Sequence, residues 1–185
     1  PSTPVLSVGT IDVSKPSAVS FFVFDVETGT EIASKDSQKV LPIASITKLF
    51  TASMFYTHTN LDATTSITWT DVGTEGTAGR LNAFEEYTHR GLMYPSLLES
   101  SNDASVAMLR VDPELLSQMN EYAQSNGGIH TVFADTSGLS DQNVSTAYEL
   151  SKLVVPIFKE QQHIFDITRL KQFIGPHTGW LNNNP

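Results

Sequence analysis

The stretch Leu41-Pro42-Ile43-Ala44-Ser45-Ile46-Thr47-Lys48-Leu49-Phe50 sets a serine and a lysine three residues apart between apolar flanks. On a helix, residues three apart lie on one face, one turn above the other, so the hydroxyl and the amine can touch. Serine is a weak nucleophile until a base takes its proton. Lysine serves as that base only where burial or a nearby positive charge holds it partly neutral. Pro42 suits the approach to a helix start, and the spacing predicts a helix over residues 45–58 that runs from a site floor into a core. The tetrad alone also describes a surface serine beside a solvated lysine, so the rest of the chain must decide between the two.

A second motif, Ser100-x-Asn102, stands in Ser100-Ser101-Asn102-Asp103-Ala104-Ser105. Ser45-x-x-Lys48 followed by Ser100-x-Asn102 is the motif order of class A β-lactamases and penicillin-binding proteins. The wording around both motifs resembles the low-molecular-mass penicillin-binding proteins, the serine D-alanyl-D-alanine carboxypeptidases. Phe24-Asp25-Val26-Glu27-Thr28-Gly29 is similar to that family's opening hairpin. Glu75-Gly76-Thr77-Ala78-Gly79 is similar to its loop before the second motif. Ser137-Gly138-Leu139, followed by Ser145-Thr146-Ala147, is similar to its later loop and helix. The resemblance runs from about residue 19 to residue 185 and implies an α/β (α+β) fold of the β-lactamase/transpeptidase type, an antiparallel sheet with a helical lobe.

The resemblance also implies roles. Ser45 attacks the carbonyl between two D-alanines and forms an acyl-enzyme, and Lys48 is its base. Ser100 relays a proton toward the leaving amine, and Asn102 binds the substrate amide. The Ser45 backbone N–H supplies half of an oxyanion hole. The implied partner is a peptidoglycan stem peptide ending in D-Ala-D-Ala, and β-lactams are the implied acylating inhibitors. The bland alternative for Ser100 and Asn102 is helix capping.

The family's third motif, Lys-Thr-Gly on a strand lining the site, is matched at most by His177-Thr178-Gly179. Pro176-His177 makes a poor start for a regular central strand. Gly179-Trp180-Leu181-Asn182-Asn183-Asn184 is similar instead to the Asn-rich segment that precedes Lys-Thr-Gly. The expectation is therefore a chain that stops short of the third motif, with its C-terminal sheet strands missing. The hairpin over residues 19–35 would then be left nearly alone, its apolar face and edge open to a second copy or to the missing segment.

Two other functions compete. A class A β-lactamase needs a deacylating glutamate after the second motif, and residues 126–145 hold only Asp135 and Asp141 as acids. β-Lactams are thus expected to be slow acylating inhibitors rather than efficient substrates. The non-enzymatic alternative is an incompetent fragment or paralogue that binds peptidoglycan or a partner.

Composition removes further classes. The formal net charge of −9 argues against nucleic-acid binding, which needs a basic face. The absence of cysteine excludes disulfides, cysteine catalysis and cysteine-ligated metal. His58, His89, His130, His163 and His177 are scattered without a two-ligand helical spacing, so neither a metal nor an organic cofactor is implied. No stretch is long and apolar enough to span a bilayer as a helix. The chain opens on Pro1-Ser2-Thr3-Pro4 with no signal peptide, and a trimmed polypeptide is the expectation. The expected location is extracytoplasmic, in the periplasm or at the cell surface, with a membrane anchor on the full-length protein left open.

Along the chain, residues 1–17 read as an arm or linker and residues 18–185 as one domain. Strands are expected over 19–25 and 31–34, with a further short strand at Ile67-Thr68-Trp69. Residues 73–79 form a glycine-punctuated loop that lacks the ending of a phosphate cradle. Helices are expected over 92–99, then after a cap at Asp103 or Asn102, over 113–125, and over 146–158 with Ser145 as cap. Residues 129–133 read as a short extended piece, 135–141 as a turn-rich loop, and 163–185 as extended or irregular.

Overall fold

The structure, a computed structural model, describes residues 16–77 and 79–183. The arm expected over residues 1–17 lies almost wholly outside the described residues.

Helix α1 (Thr47–His58) is the axis of the molecule. Thr47, Lys48 and the run from Phe50 to Phe55 are all buried, so this helix has no polar stripe to offer. Such a pattern belongs to a helix enclosed on every side. The helices α3 (His89–Leu98), α4 (Asn102–Val111), α5 (Leu115–Ser125) and α7 (Gln162–Thr168) enclose it. Phe50, Phe55, Leu92, Leu98, Met108 and Leu115 are fully buried among them and make one continuous core.

The strands form small antiparallel ladders. β1 (Phe21–Phe24) pairs with β2 (Glu31–Lys35) in the expected hairpin, with Phe21 opposite Lys35. Its turn is closed by Asp25, whose carboxylate accepts the Thr28 N–H at 2.7 Å. β3 (Leu41–Pro42) pairs with β6 (Val144–Ser145), β4 (Thr64–Ser66) with β5 (Glu86–Thr88), and β7 (Gln172–Ile174) with β8 (Gly179–Leu181). Among the described residues each ladder has two strands. The β1–β2 hairpin rests on helix α6 (Ala147–Glu160), where Phe22 meets Tyr148 edge to face at 5.3 Å. Val23 and Ile32 remain 44% and 41% exposed, whereas Phe22 and Phe24 are half-buried, so the apolar face expected to be open is only partly so.

Several expectations need correction. Ile67-Thr68-Trp69 is no strand. The ladder lies just before it, and Trp69 opens the short helix α2 (Trp69–Val72), because Thr68 and Asp71 form a reciprocal capping box. Helix α4 is capped by Ser101, neither by Asn102 nor by Asp103, since Ser101 holds the extended backbone a cap requires and accepts the Ala104 N–H at 3.0 Å. Thr146, not Ser145, caps α6 for the same reason. Residues 163–185 are not irregular over their described part. Ile164 and Ile167 are buried three apart on α7, and Trp180 of β8 is fully buried and donates its indole N–H to the Gly79 carbonyl at 2.7 Å.

Candidate active site

Two helix starts and one loop meet at the site. Ser45 sits in the 3-10 turn Ala44–Ile46 that leads into α1, on exposed backbone whose first N–H groups have no intrahelical partner. Ala44 adopts φ +46, which turns the chain sharply into Ser45. Ser100 adopts φ +61 just before Ser101 and α4, and strain of this kind gathers at functional positions. Both serines and Lys48 line one cleft of about 470 Å³, whose walls include Ile43, Leu97, Phe165 and Thr168.

Lys48 is 2% exposed. Its ammonium nitrogen lies 3.2 Å from Ser45 Oγ, 2.8 Å from Asn102 Oδ1 and 2.5 Å from the Ser137 carbonyl oxygen. Among the described residues it has no carboxylate in ion-pair contact. Burial lowers its pKa to about 8, and the negative charge of Asp135 limits that fall. A lysine so held is partly neutral near physiological pH and can accept a proton.

Asn102 is fixed from three sides. Its Oδ1 receives Lys48, its Nδ2 donates to the Glu75 carbonyl at 2.7 Å, and its backbone N–H donates to the Thr77 carbonyl at 2.7 Å. One amide hydrogen is left for a further acceptor. Gly76 passes so close that a Cβ there would meet Asn102 Nδ2 at 2.5 Å.

The four residues expected at the site thus come together: Ser45, Lys48 and Ser100 on the cleft wall, and Asn102 joined to Lys48. His177-Thr178-Gly179 does not join them. His177 turns away to the Glu86 carbonyl at 3.0 Å and packs edge-on against Tyr87. The Ser137 and Glu75 carbonyls were not legible, because any residue supplies a backbone oxygen.

The motifs give Asp135 no role beyond that of an acid that is not the deacylating glutamate. Its Oδ1 accepts the Ser137 N–H, the Ser137 hydroxyl and the Gly138 N–H, and its Oδ2 accepts the Ser140 N–H and the Asn143 side-chain amide. Burial alone would raise its pKa, but the backbone donors from Ser140, Gly138 and Ser137 hold it below the ordinary carboxylate range. An Asp-x-Ser-Gly run followed by an asparagine is the pattern of a side chain closing its own loop, and that signal was available.

A family model described as D-alanyl-D-alanine carboxypeptidase matches residues 8–185. A D-alanyl-D-alanine endopeptidase of Haemophilus influenzae is 33% identical over 74% of this chain and 49% of its own length. The chain spans about half the length of the curated relatives it matches. Among solved structures, a D-alanyl-D-alanine carboxypeptidase of Mycobacterium tuberculosis shares the fold with a TM-score of 0.85, at 22% identity over 98% of this chain and 72% of that one. Penicillin-binding protein D2 of Listeria monocytogenes, solved with ampicillin bound, shares it with a TM-score of 0.79, at 22% identity over 90% of this chain and 72% of that one.

Proposed function

Because the chain belongs to the D-alanyl-D-alanine carboxypeptidase family, we propose that it forms an acyl-enzyme on Ser45 with peptidoglycan stem peptides ending in D-Ala-D-Ala. The observation that carries this reading is the buried Lys48 amine, 3.2 Å from an exposed serine hydroxyl and, among the described residues, without a carboxylate partner in contact. Neutral Lys48 takes the proton of Ser45 as Oγ attacks the carbonyl. The oxyanion that develops is met by the Ser45 backbone N–H at the start of α1. Ser100, on the same cleft wall, passes a proton to the leaving amine. Asn102 keeps Lys48 in place and offers its remaining amide hydrogen to the substrate. Water then attacks the ester and releases the shortened peptide.

The relatives above 30% identity are named endopeptidases, which supports a second reading. In that case the same Ser45 chemistry acts on an internal D-alanyl bond. β-Lactams would acylate Ser45 and leave it slowly, since Asp135 is fully used within its own loop and offers no oxygen to activate a water. The substrate polymer lies outside the membrane, which supports an extracytoplasmic location.

Intact-mass measurement with a fluorescent penicillin tests the proposal. A single adduct on wild-type protein, absent from Ser45→Ala, is expected. No adduct on a folded wild-type protein under saturating penicillin would overturn the assembled site. Incubation with an uncrosslinked and a crosslinked stem peptide then separates release of terminal D-alanine from internal cleavage.

A further inference from the structure

The loop over residues 135–143 does more than border the cleft. Several separate contacts fasten it to the elements that carry the chemistry. The Ser137 carbonyl receives Lys48. The Thr136 carbonyl receives the Thr51 hydroxyl of α1 at 2.7 Å, and the Thr136 hydroxyl donates to the Ser105 carbonyl of α4 at 3.1 Å. Gly138, at φ +79, lies against the peptide that precedes the nucleophile: a Cβ on it would sit 2.0 Å from Ala44 O and 3.0 Å from Ser45 N. The strand that follows, β6, pairs with β3, which leads into the Ser45 turn.

Every one of these contacts depends on the path of four residues, and one side chain sets that path. Asp135 gathers the N–H groups of Ser137, Gly138 and Ser140 at 2.7, 2.6 and 2.7 Å. Asn143, fully buried, backs it by donating to Asp135 Oδ2 and accepting the Ala134 and Asp135 N–H groups. An ionised carboxylate with several N–H donors makes short, charge-assisted bonds that a neutral side chain does not equal.

We propose that Asp135 is a positioning residue for the Ser45–Lys48 pair, acting through the loop it closes: it aims the Ser137 carbonyl at the lysine and seats Gly138 beneath the Ala44–Ser45 peptide. It touches neither substrate nor nucleophile. Its negative charge also favours the Lys48 ammonium, whose hydrogen-bond neighbours (Ser45 Oγ, Asn102 Oδ1 and Ser137 O) are neutral. Replacing Asp135 by asparagine therefore acts twice in one direction. It removes the charge that favours the ammonium, and it frees the carbonyl that accepts from it. Both changes move the lysine titration to lower pH.

The proposal rests on the functional reading above only for its kinetic consequence, and its direct test needs no turnover. Lysine labelled at 13Cε reports each side-chain titration by NMR, and the Lys48 signal is identified by its loss in Lys48→Arg. Wild-type Lys48 is expected to titrate near 8, and Asp135→Asn to bring that inflection down by half a unit or more. Penicillin acylation should fall at least tenfold. Asn143→Ala, which loosens the loop but keeps the charge, should lower acylation with a smaller displacement of the inflection. A folded Asp135→Asn protein with an unmoved inflection and acylation within twofold of wild type overturns the proposal. Should both variants fail to fold, amide exchange on the wild-type protein decides. The Gly138 and Ser140 N–H groups are expected to be protected as strongly as those of α1, and exchange at the rate of an open loop sinks it. If Lys48 titrates as expected while penicillin leaves no adduct, the functional reading fails and the positioning role stands.

Discussion

Gly29 in the β1–β2 turn and Gly138 in the 135–143 loop share a left-handed backbone, φ +70 and φ +79, and differ in everything around it. No atom outside the immediate chain lies within 4 Å of where a side chain on Gly29 would begin. The same construction on Gly138 runs into the Ala44 carbonyl. The two positions stand for two halves of the molecule. One half is helical and loop-built, with its parts wedged together at the cleft. The other is a hairpin held by one ladder and by α6, with Val23 and Ile32 facing outward. The nucleophile and its base belong wholly to the first half, so their arrangement does not depend on how wide the sheet becomes.

The largest expected effect that could break this division is at Lys48. Proton abstraction needs the neutral amine, and the amine becomes neutral as pH rises through about 8. Acylation by a fluorescent penicillin should therefore climb about tenfold per pH unit below that value and level off above it. Lys48→Met should lose roughly three orders of magnitude and the pH dependence with it. A flat profile for the wild-type protein would mean that some other group is the base.

The glycines sharpen the contrast in stability. Gly29→Ala meets only the backbone penalty of a left-handed alanine, about 1 kcal/mol, measured as a small drop in Tm. Gly138→Ala adds a clash with the backbone beside Ser45 and should cost about 2–4 kcal/mol in total, with a loss of acylation even where the protein remains folded. Equal costs at the two sites would show that the loop gives way easily and that the wedge is not rigid.

A smaller effect comes from a second carboxyl beside the site. Asp103 is fully buried, and among the described residues neither of its oxygens has a hydrogen-bond partner. Burial, helped by the nearby charge of Asp71, raises its pKa from 3.8 to about 6. The folded state therefore binds the Asp103 proton more tightly than the unfolded chain. The associated stability is complete below about pH 4 and is lost as pH rises through 6. Asp103→Asn has no proton to lose, so its denaturation free energy relative to wild type should improve between pH 4 and pH 8 by up to about 3 kcal/mol, at about 1.4 kcal/mol per unit. The comparison with Asp135 is direct: one carboxyl is saturated with donors and pulled down, the other is bare and pushed up.

Much of the site was legible because its chemistry lies in side chains at fixed spacing. Ser45 and Lys48 stand one turn apart, and Ser100 and Asn102 bracket the start of another helix, so the motifs pointed to side chains that meet at and beside one cleft. What the motifs do not encode is backbone. The Ser137 and Glu75 carbonyls that hold Lys48 and Asn102 belong to no residue type, and the left-handed turns at Ala44 and Ser100 break the rule that only glycine takes them freely. The caps lie one or two residues earlier than expected at Ser101 and one residue later at Thr146. Four candidate side chains stand in a row at the first place and two at the second, and only the local φ and ψ select among them. The hairpin at residues 172–181 escaped notice because its turn, Gly175-Pro176-His177-Thr178, interrupts short strands whose pairing is fixed by Trp180 in the core rather than by alternation.

The knot at Asp135 also bears on how the chain is destroyed. A protease must draw several residues of extended backbone into its own cleft before it can cut. Residues 135–140 cannot be drawn out singly, since to lift them is to strip the donors from one carboxylate and to pull Gly138 from beneath the nucleophile's turn. Cleavage in this loop would then follow only from opening of the whole helical half. A molecule nicked there is one that had already come apart, and the same tie that holds the nucleophile steady guards this stretch of chain from digestion.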